Sequence, residues 1–285
     1  MLETYRVTLV QRPPDLYMDA SVLSLHAELQ PDHSEGLDAI LLGDVLRSFL
    51  SPHLPLPGRI SCLDSRILLS TLAMLSWHVR TTSAPGQSLG PSWKKDNIEL
   101  ALHRWYSHVQ IDHGRQSSSL QRLSDRTTLL FHLVVMNIQV NMQIIHKFVR
   151  LHRFQQPIPQ EVQTELNHWT QSKECEIALW HAKEIMDFCE SQMNGPRRGW
   201  GDQSVESPHT AIAVYIASLV LWASRVALLG PDARATKTKA ARSELESGIH
   251  VLGYLQVRIA ESLLLVLQGL SVNAVHPDPS NQSPT

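Results

Sequence analysis

Histidine and cysteine are the side chains that most readily bind zinc, and this chain of 285 residues holds 15 of the first and three of the second. Two of the cysteines, Cys175 and Cys189, lie in the stretch SKECEIALWHAKEIMDFCES (172–191), with Trp180 and His181 between them. Helical periodicity puts both thiols on one helix, about 21 Å apart along its axis. Zinc holds sulfur about 2.3 Å away and a disulfide needs Cα atoms within about 7 Å, so the pair serves neither purpose. No two cysteines stand two to four residues apart anywhere in the chain, which excludes a zinc finger. Three are also too few for a six-cysteine binuclear cluster. His103, His108 and His113 recur at five-residue intervals, and successive members on a helix are turned by about 140° from one another. The expectation is no metal site and no cofactor.

A nucleophile is the next possibility. GQSLG (86–90) has the Gly-x-Ser-x-Gly spacing that would make Ser88 a hydrolase nucleophile. That motif works where a strand enters and a helix leaves a tight turn, lifting the hydroxyl toward an oxyanion hole. Here SWHVRTTSAP precedes it and PSWKKDN follows, a helix end and a proline-flanked loop, so the required context is missing. There is also no glycine-rich phosphate loop and no acidic metal cluster. No catalytic residue is assigned.

The elements that would position any site are helices. With 43% hydrophobic residues the chain can fill a core, and with 18% charged residues and a formal net charge of −2 it has no global positive field for nucleic acid. GLDAILLGDVLRSFL (36–50), CLDSRILLSTLAMLSWHVR (62–80) and KKDNIELALHRWYSHVQI (94–111) repeat apolar residues at three- and four-residue steps. TTSAPGQSLGPS (81–92) reads as a surface loop. From Ser124 and Asp125, which can cap a first turn, Leu129, Leu133, Met136, Val140, Ile144, Phe148 and Leu151 form one stripe, predicting a single helix over 124–154. Its other face, His132, Gln139, Gln143, His146 and Arg150, is expected to meet solvent, and QQPIP (155–159) ends it. One helix is predicted over 160–193 and a polar connection over 194–208. On the second of these helices Ala178, His181, Ala182, Ile185 and Cys189 share a face, which predicts packing rather than reactivity for the cysteine and the histidine.

Two long apolar segments follow, 211–229 and 249–270, joined by GPDARATKTKAARS (230–243). Arg225 in the first, and Arg258 with Glu261 in the second, would each cost roughly 2.5 to 3.5 kcal/mol deep in a bilayer, so both are expected at the centre of a helical domain and not in a membrane. The fold class is therefore all-α, a large irregular bundle of about seven to nine helices. Residues 1–35 are expected to pack loosely, 36–271 to form the helical domain and 272–285 to be a disordered tail.

The order Trp169, then Trp180-His181-Ala182, then Leu221-Trp222-Ala223, with LLFHLVVMNIQVNMQIIHKFVR (129–150) before it, resembles the fungal-specific transcription factor domain, in the variant that accompanies two-cysteine, two-histidine fingers. The likeness covers 120–270, and it departs from the pattern at Glu176 and at Ser224-Arg225. It implies a nuclear regulatory domain that works through protein partners, either the transcription machinery or a co-regulator, with no catalytic residues. No DNA-reading finger occurs in these 285 residues, so no specific DNA binding is expected of them. The motif residues are read as structural. Two other functions stay open: an all-α small-molecule binding protein or enzyme lined by the polar faces of 129–150 and 172–191, and the hydrolase of Ser88. Oligomeric state is not fixed by the sequence.

Overall fold

The computed structural model describes residues 42–57, 60, 62–82, 94–112, 118–194, 208–227 and 234–273. The segment 1–35, Ser88 with its glycines, nearly all of the connection 194–208 and the tail beyond 273 lie outside them. The described residues form ten helices and no strand: α1 Leu42–Leu50, α2 Cys62–Thr82, α3 Lys95–Asp112, α4 Ser118–Gln139, α5 Met142–Arg153, α6 Gln160–Thr170, α7 Lys173–Asn194, α8 Pro208–Ala227, α9 Arg234–Tyr254 and α10 Arg258–Asn273. The protein is all-α, as its periodicity requires. Its described helices exceed the expected seven to nine because three of the segments read as single helices are broken or redivided.

The chain divides into two compact units, Met1–Ser124 and Asp125–Thr285, a boundary within the span 36–271 treated above as one domain. In the first unit α3 packs against α1 and α2 and buries Ile98, Ala101, Leu102 and Trp105. Trp105 donates from Nε1 to the Ser65 carbonyl at 2.8 Å, which satisfies the one polar atom of a buried indole. Arg104 donates to the carbonyls of Ser48 (2.8 Å), Ser51 and Leu54 (2.8 Å). The three carbonyls belong to the end of α1 and the turn that follows it, where a guanidinium also complements the helix dipole.

In the second unit α8 is the central element, packed against α5, α6, α7, α9 and α10. It is apolar on nearly every side, and Val214, Leu219, Val220, Trp222 and Ala223 are fully or almost fully buried. Among the described residues it is one helix long and apolar enough to cross a membrane, but most of that apolar surface is already covered inside the bundle. Its proline at the first helical position has no amide hydrogen to leave unpaired.

The predicted helix over 124–154 is two helices meeting at 84°. It starts earlier than expected, at Ser118, so Ser124 and Asp125 lie inside it and not at its first turn. The stripe Leu129 to Leu151 does face the core, with only Ile144 partly exposed. Periodicity identified the buried face but not the bend, because both halves bury the same stripe. Asn141 makes the break: its Oδ1 accepts from the Gln143 amide at 3.2 Å as the N-cap of α5, and its Nδ2 donates to Glu165 Oε1 of α6 at 2.9 Å. An asparagine that bonds nearby backbone competes with helix continuation in this way.

The predicted helix over 160–193 breaks at Gln171 and Ser172. Ser172 Oγ accepts from the Cys175 amide at 3.3 Å and donates to the Trp169 carbonyl at 2.7 Å, capping α7 and closing α6 with one hydroxyl. The described residues of the apolar segment 211–229 lie on the single helix α8, but 249–270 is divided: α9 begins at Arg234, inside the expected linker, and ends at Tyr254, and α10 starts afresh at Arg258.

Two backbone positions carry direct tests. Gln155 sits at φ 50°, while the Gln156 amide donates to the Leu151 carbonyl (2.9 Å) and the Gln155 amide to that of His152 (3.2 Å). This is a Schellman turn with glutamine where glycine is normal. Because a side chain in that conformation costs roughly 1 to 2 kcal/mol, partly offset by the greater freedom of unfolded glycine, Gln155→Gly should stabilise the protein by about 0.5 to 1 kcal/mol in urea unfolding. Gly248 of α9 behaves oppositely, since a Cβ there would lie 2.0 Å from Ser218 Oγ, 2.8 Å from Ser218 Cβ and 3.1 Å from Leu267 Cδ1. Gly248→Ala gains up to about 1 kcal/mol in helix propensity, but it forces α8 and α9 apart at a fully packed contact, an overpacking that costs about 1 to 3 kcal/mol. The expected result is a Tm lower by several degrees on following the helical circular dichroism.

Candidate functional site

His132, which sequence reasoning placed in solvent, is buried beside His181, which it placed on a packing face. His132 on α4 is 6% exposed and His181 on α7 is 4% exposed, and their Nδ1 atoms lie 2.9 Å apart. One ring therefore donates its Nδ1 hydrogen and the other accepts, which sets opposite tautomers on the two imidazoles. The Phe131 ring meets both histidines edge to face, with centroids 5.5 and 5.8 Å away. Trp180 stands 5.6 Å from the His132 ring and 4.6 Å from that of His181. Burial lowers the pKa of His132 from 6.5 to about 4, so the imidazole is neutral at physiological pH.

This corrects two expectations. The face of residues 129–150 is not uniformly solvated, since His132 and Gln139 are buried while Gln143 and Arg150 are exposed and His146 lies between. Trp180, grouped with the core motif, is 53% exposed and leans on the histidine pair from its open side. A signal for His132 did exist in the sequence: it stands in LLFHLVVM, apolar on every side, and such a run leaves its one polar residue no solvated face.

The other motif residues sit where α4 and α5 need support. Trp169 is partly buried and donates from Nε1 to the Gln139 carbonyl at 3.1 Å, one of the carbonyls left without a helical partner at the bend. Trp222, 1% exposed, packs against Phe148 (centroids 5.4 Å) and stands edge to face with His152 (5.0 Å) of α5. Burial lowers the pKa of His152 as well. Ala182 and Ala223 are fully buried and Leu221 nearly so, letting their helices approach closely. His146 stacks on Tyr215 at 6.2 Å. Burial raises the Tyr215 phenol to about 12, with Arg153 opposing the shift.

Little here equips the site for chemistry of the usual kinds. Among the described residues no three of His, Cys, Asp and Glu come together to hold a metal ion. Cys175 and Cys189 are buried and unbonded, and burial, helped by Glu176 and Glu190 respectively, pushes their thiols up to about 11 and about 12, far from the thiolate that reactivity needs. His108 Nε2 bonds the Pro57 carbonyl at 2.8 Å and His103 is exposed. His113 lies outside the described residues. The class of protein defined here is an all-α bundle organised around a bent helix pair. Comparison with protein-family models, with curated proteins and with solved structures finds no match.

The histidine pair makes stability depend on pH in a known sense. Because the folded-state pKa of His132 lies below 6.5, the unfolded chain binds the proton first, so the contribution is present in full above about pH 6.5 and is lost as pH falls toward 4. A loss on the order of 2 to 3 kcal/mol is expected over that window, measured by urea unfolding at a series of pH values. His132→Asn, which keeps a donor near the Nδ1 position but does not titrate, should show a shallower slope.

Proposed function

We propose that this chain is the effector module of a fungal-type transcription regulator, acting in the nucleus through protein partners and reading no DNA sequence itself. One observation carries the proposal. The residues that give the family resemblance, Trp169, Trp180-His181-Ala182 and Leu221-Trp222-Ala223, come from three different helices, and an aromatic ring from each meets α4 or α5. Two further features agree with it. The net charge of −2 gives no global positive field for a nucleic-acid backbone, and the two buried thiols are poorly nucleophilic. His132 and His181, the converging polar groups that a small-molecule enzyme would use, are engaged with each other.

The test is a fusion of the full chain to an unrelated DNA-binding domain in a fungal reporter strain. Reporter transcription should rise or fall relative to the DNA-binding domain alone, and a fluorescent fusion should collect in the nucleus. A stably expressed, nuclear fusion that leaves transcription unchanged, with mass spectrometry finding no co-purifying regulatory protein, would overturn the proposal.

A further inference from the structure

From one helix face we infer the chemistry of the partner: the outer surface of α5 is a docking site for an acidic peptide segment that carries a bulky apolar anchor. The inference rests on the regulatory reading above and adds to it the kind of protein contact involved.

On a helical projection Gln143, Lys147, Arg150 and Phe154 fall within an arc of about 60°, opposite the buried Ile145, Phe148 and Val149, with His146 and Arg153 at its edge where they meet Tyr215 of α8 and Gly269 of α10. The helix MQIIHKFVRLHR contains no acidic residue. The elements packed against it bring very few. α8 has none, α10 has only Glu261, and α6 has Glu161 and Glu165, of which Glu165 accepts from Asn141. Lys147 and Arg150 make no ion pair among the described residues. A helix C-terminus favours basic residues for its dipole, but that effect is confined to the last turn, and Lys147 lies outside it.

The same face ends in an unusual apolar feature. Phe154, the C-cap of α5, is 62% exposed, and the Arg153 guanidinium sits over its ring at 5.7 Å. The strained Gln155 follows directly, with φ 50°, and backbone strain of this kind concentrates at functional sites. A row of cations ending in an exposed aromatic complements an acidic segment with an apolar residue at one end. A nucleic-acid backbone would gain nothing from the phenylalanine alone and would meet only one short helix of positive charge.

The probe is a fluorescein-labelled synthetic peptide rich in Asp and Glu with phenylalanine at one end, titrated with the full chain and read by fluorescence anisotropy at low salt. Binding should weaken about fivefold or more in Lys147→Glu, Arg150→Glu and Phe154→Ala, and it should also weaken as salt rises through the range where the Debye length falls to about 8 Å. Lys183→Glu, the same charge change on an exposed position of α7, should leave binding unchanged. All four positions are at least partly exposed, and unchanged helical circular dichroism confirms that each variant is folded. Equal loss in Lys183→Glu, no effect of Phe154→Ala, or tighter retention of duplex DNA than of the peptide would each overturn the inference, as would charge-reversal variants that alter self-association in sedimentation but not peptide binding. A chain that drives the reporter yet ignores the peptide removes the docking face alone. A chain that binds the peptide through α5 but moves no reporter removes the regulatory reading alone.

Discussion

The second unit depends on a backbone carbonyl. Where α4 stops at Gln139, the chain turns by 84° and the last helical carbonyls lose their partners, a loss that folded proteins rarely leave uncompensated. The Trp169 indole answers the Gln139 carbonyl from α6, and Asn141 both caps α5 and reaches Glu165 on α6. α6 is thereby held across the bend. With its direction fixed, α5 can lay Phe148 against Trp222 of the central helix, and α10 can approach closely enough for Gly269 to accommodate Arg153.

The second constraint is polar and buried. A lone imidazole in this core would leave an unsatisfied donor or acceptor, worth about 1 to 3 kcal/mol. His132 and His181 solve the problem by bonding each other, so that α4 and α7 are joined at a defined register, which apolar packing alone would specify less strictly. The cost is that neither residue can be replaced singly without exposing the need of the other. Ser247 and Glu190 repeat the arrangement on a smaller scale between α9 and α7.

Helical periodicity was enough to read the fold class, the buried stripe from Leu129 to Leu151 and the shared face of Ala178, His181, Ala182, Ile185 and Cys189. Each depends on spacing along one helix. The bend at Asn141 was not legible, because it is set by a side chain that meets backbone groups at a turn and the apolar pattern passes through it without a change of phase; at Ser172 the buried face does shift, from Val162 and Leu166 to Ala178, Ala182 and Ile185 on the far side of a continuous helix. The pairing of the two histidines was missed because its members lie 49 positions apart in sequence, a contact that spacing along one helix does not report. Trp180 erred the other way, since its type suggested core while its place on α7 leaves it half in solvent. Trp169, Trp180 and Trp222 all lie against the bent pair, which their order along the chain does not show.

That half-exposed indole has a consequence of its own. Trp180 lies against the His132 ring, which stays neutral while folded and takes up its proton once acid unfolds the chain, and imidazolium quenches indole emission where a neutral ring does so less. The chain thus carries a built-in optical probe at the junction of α4 and α7. It sits within a few ångströms of His132, and its solvent-facing edge can also sense whatever comes to rest on that surface.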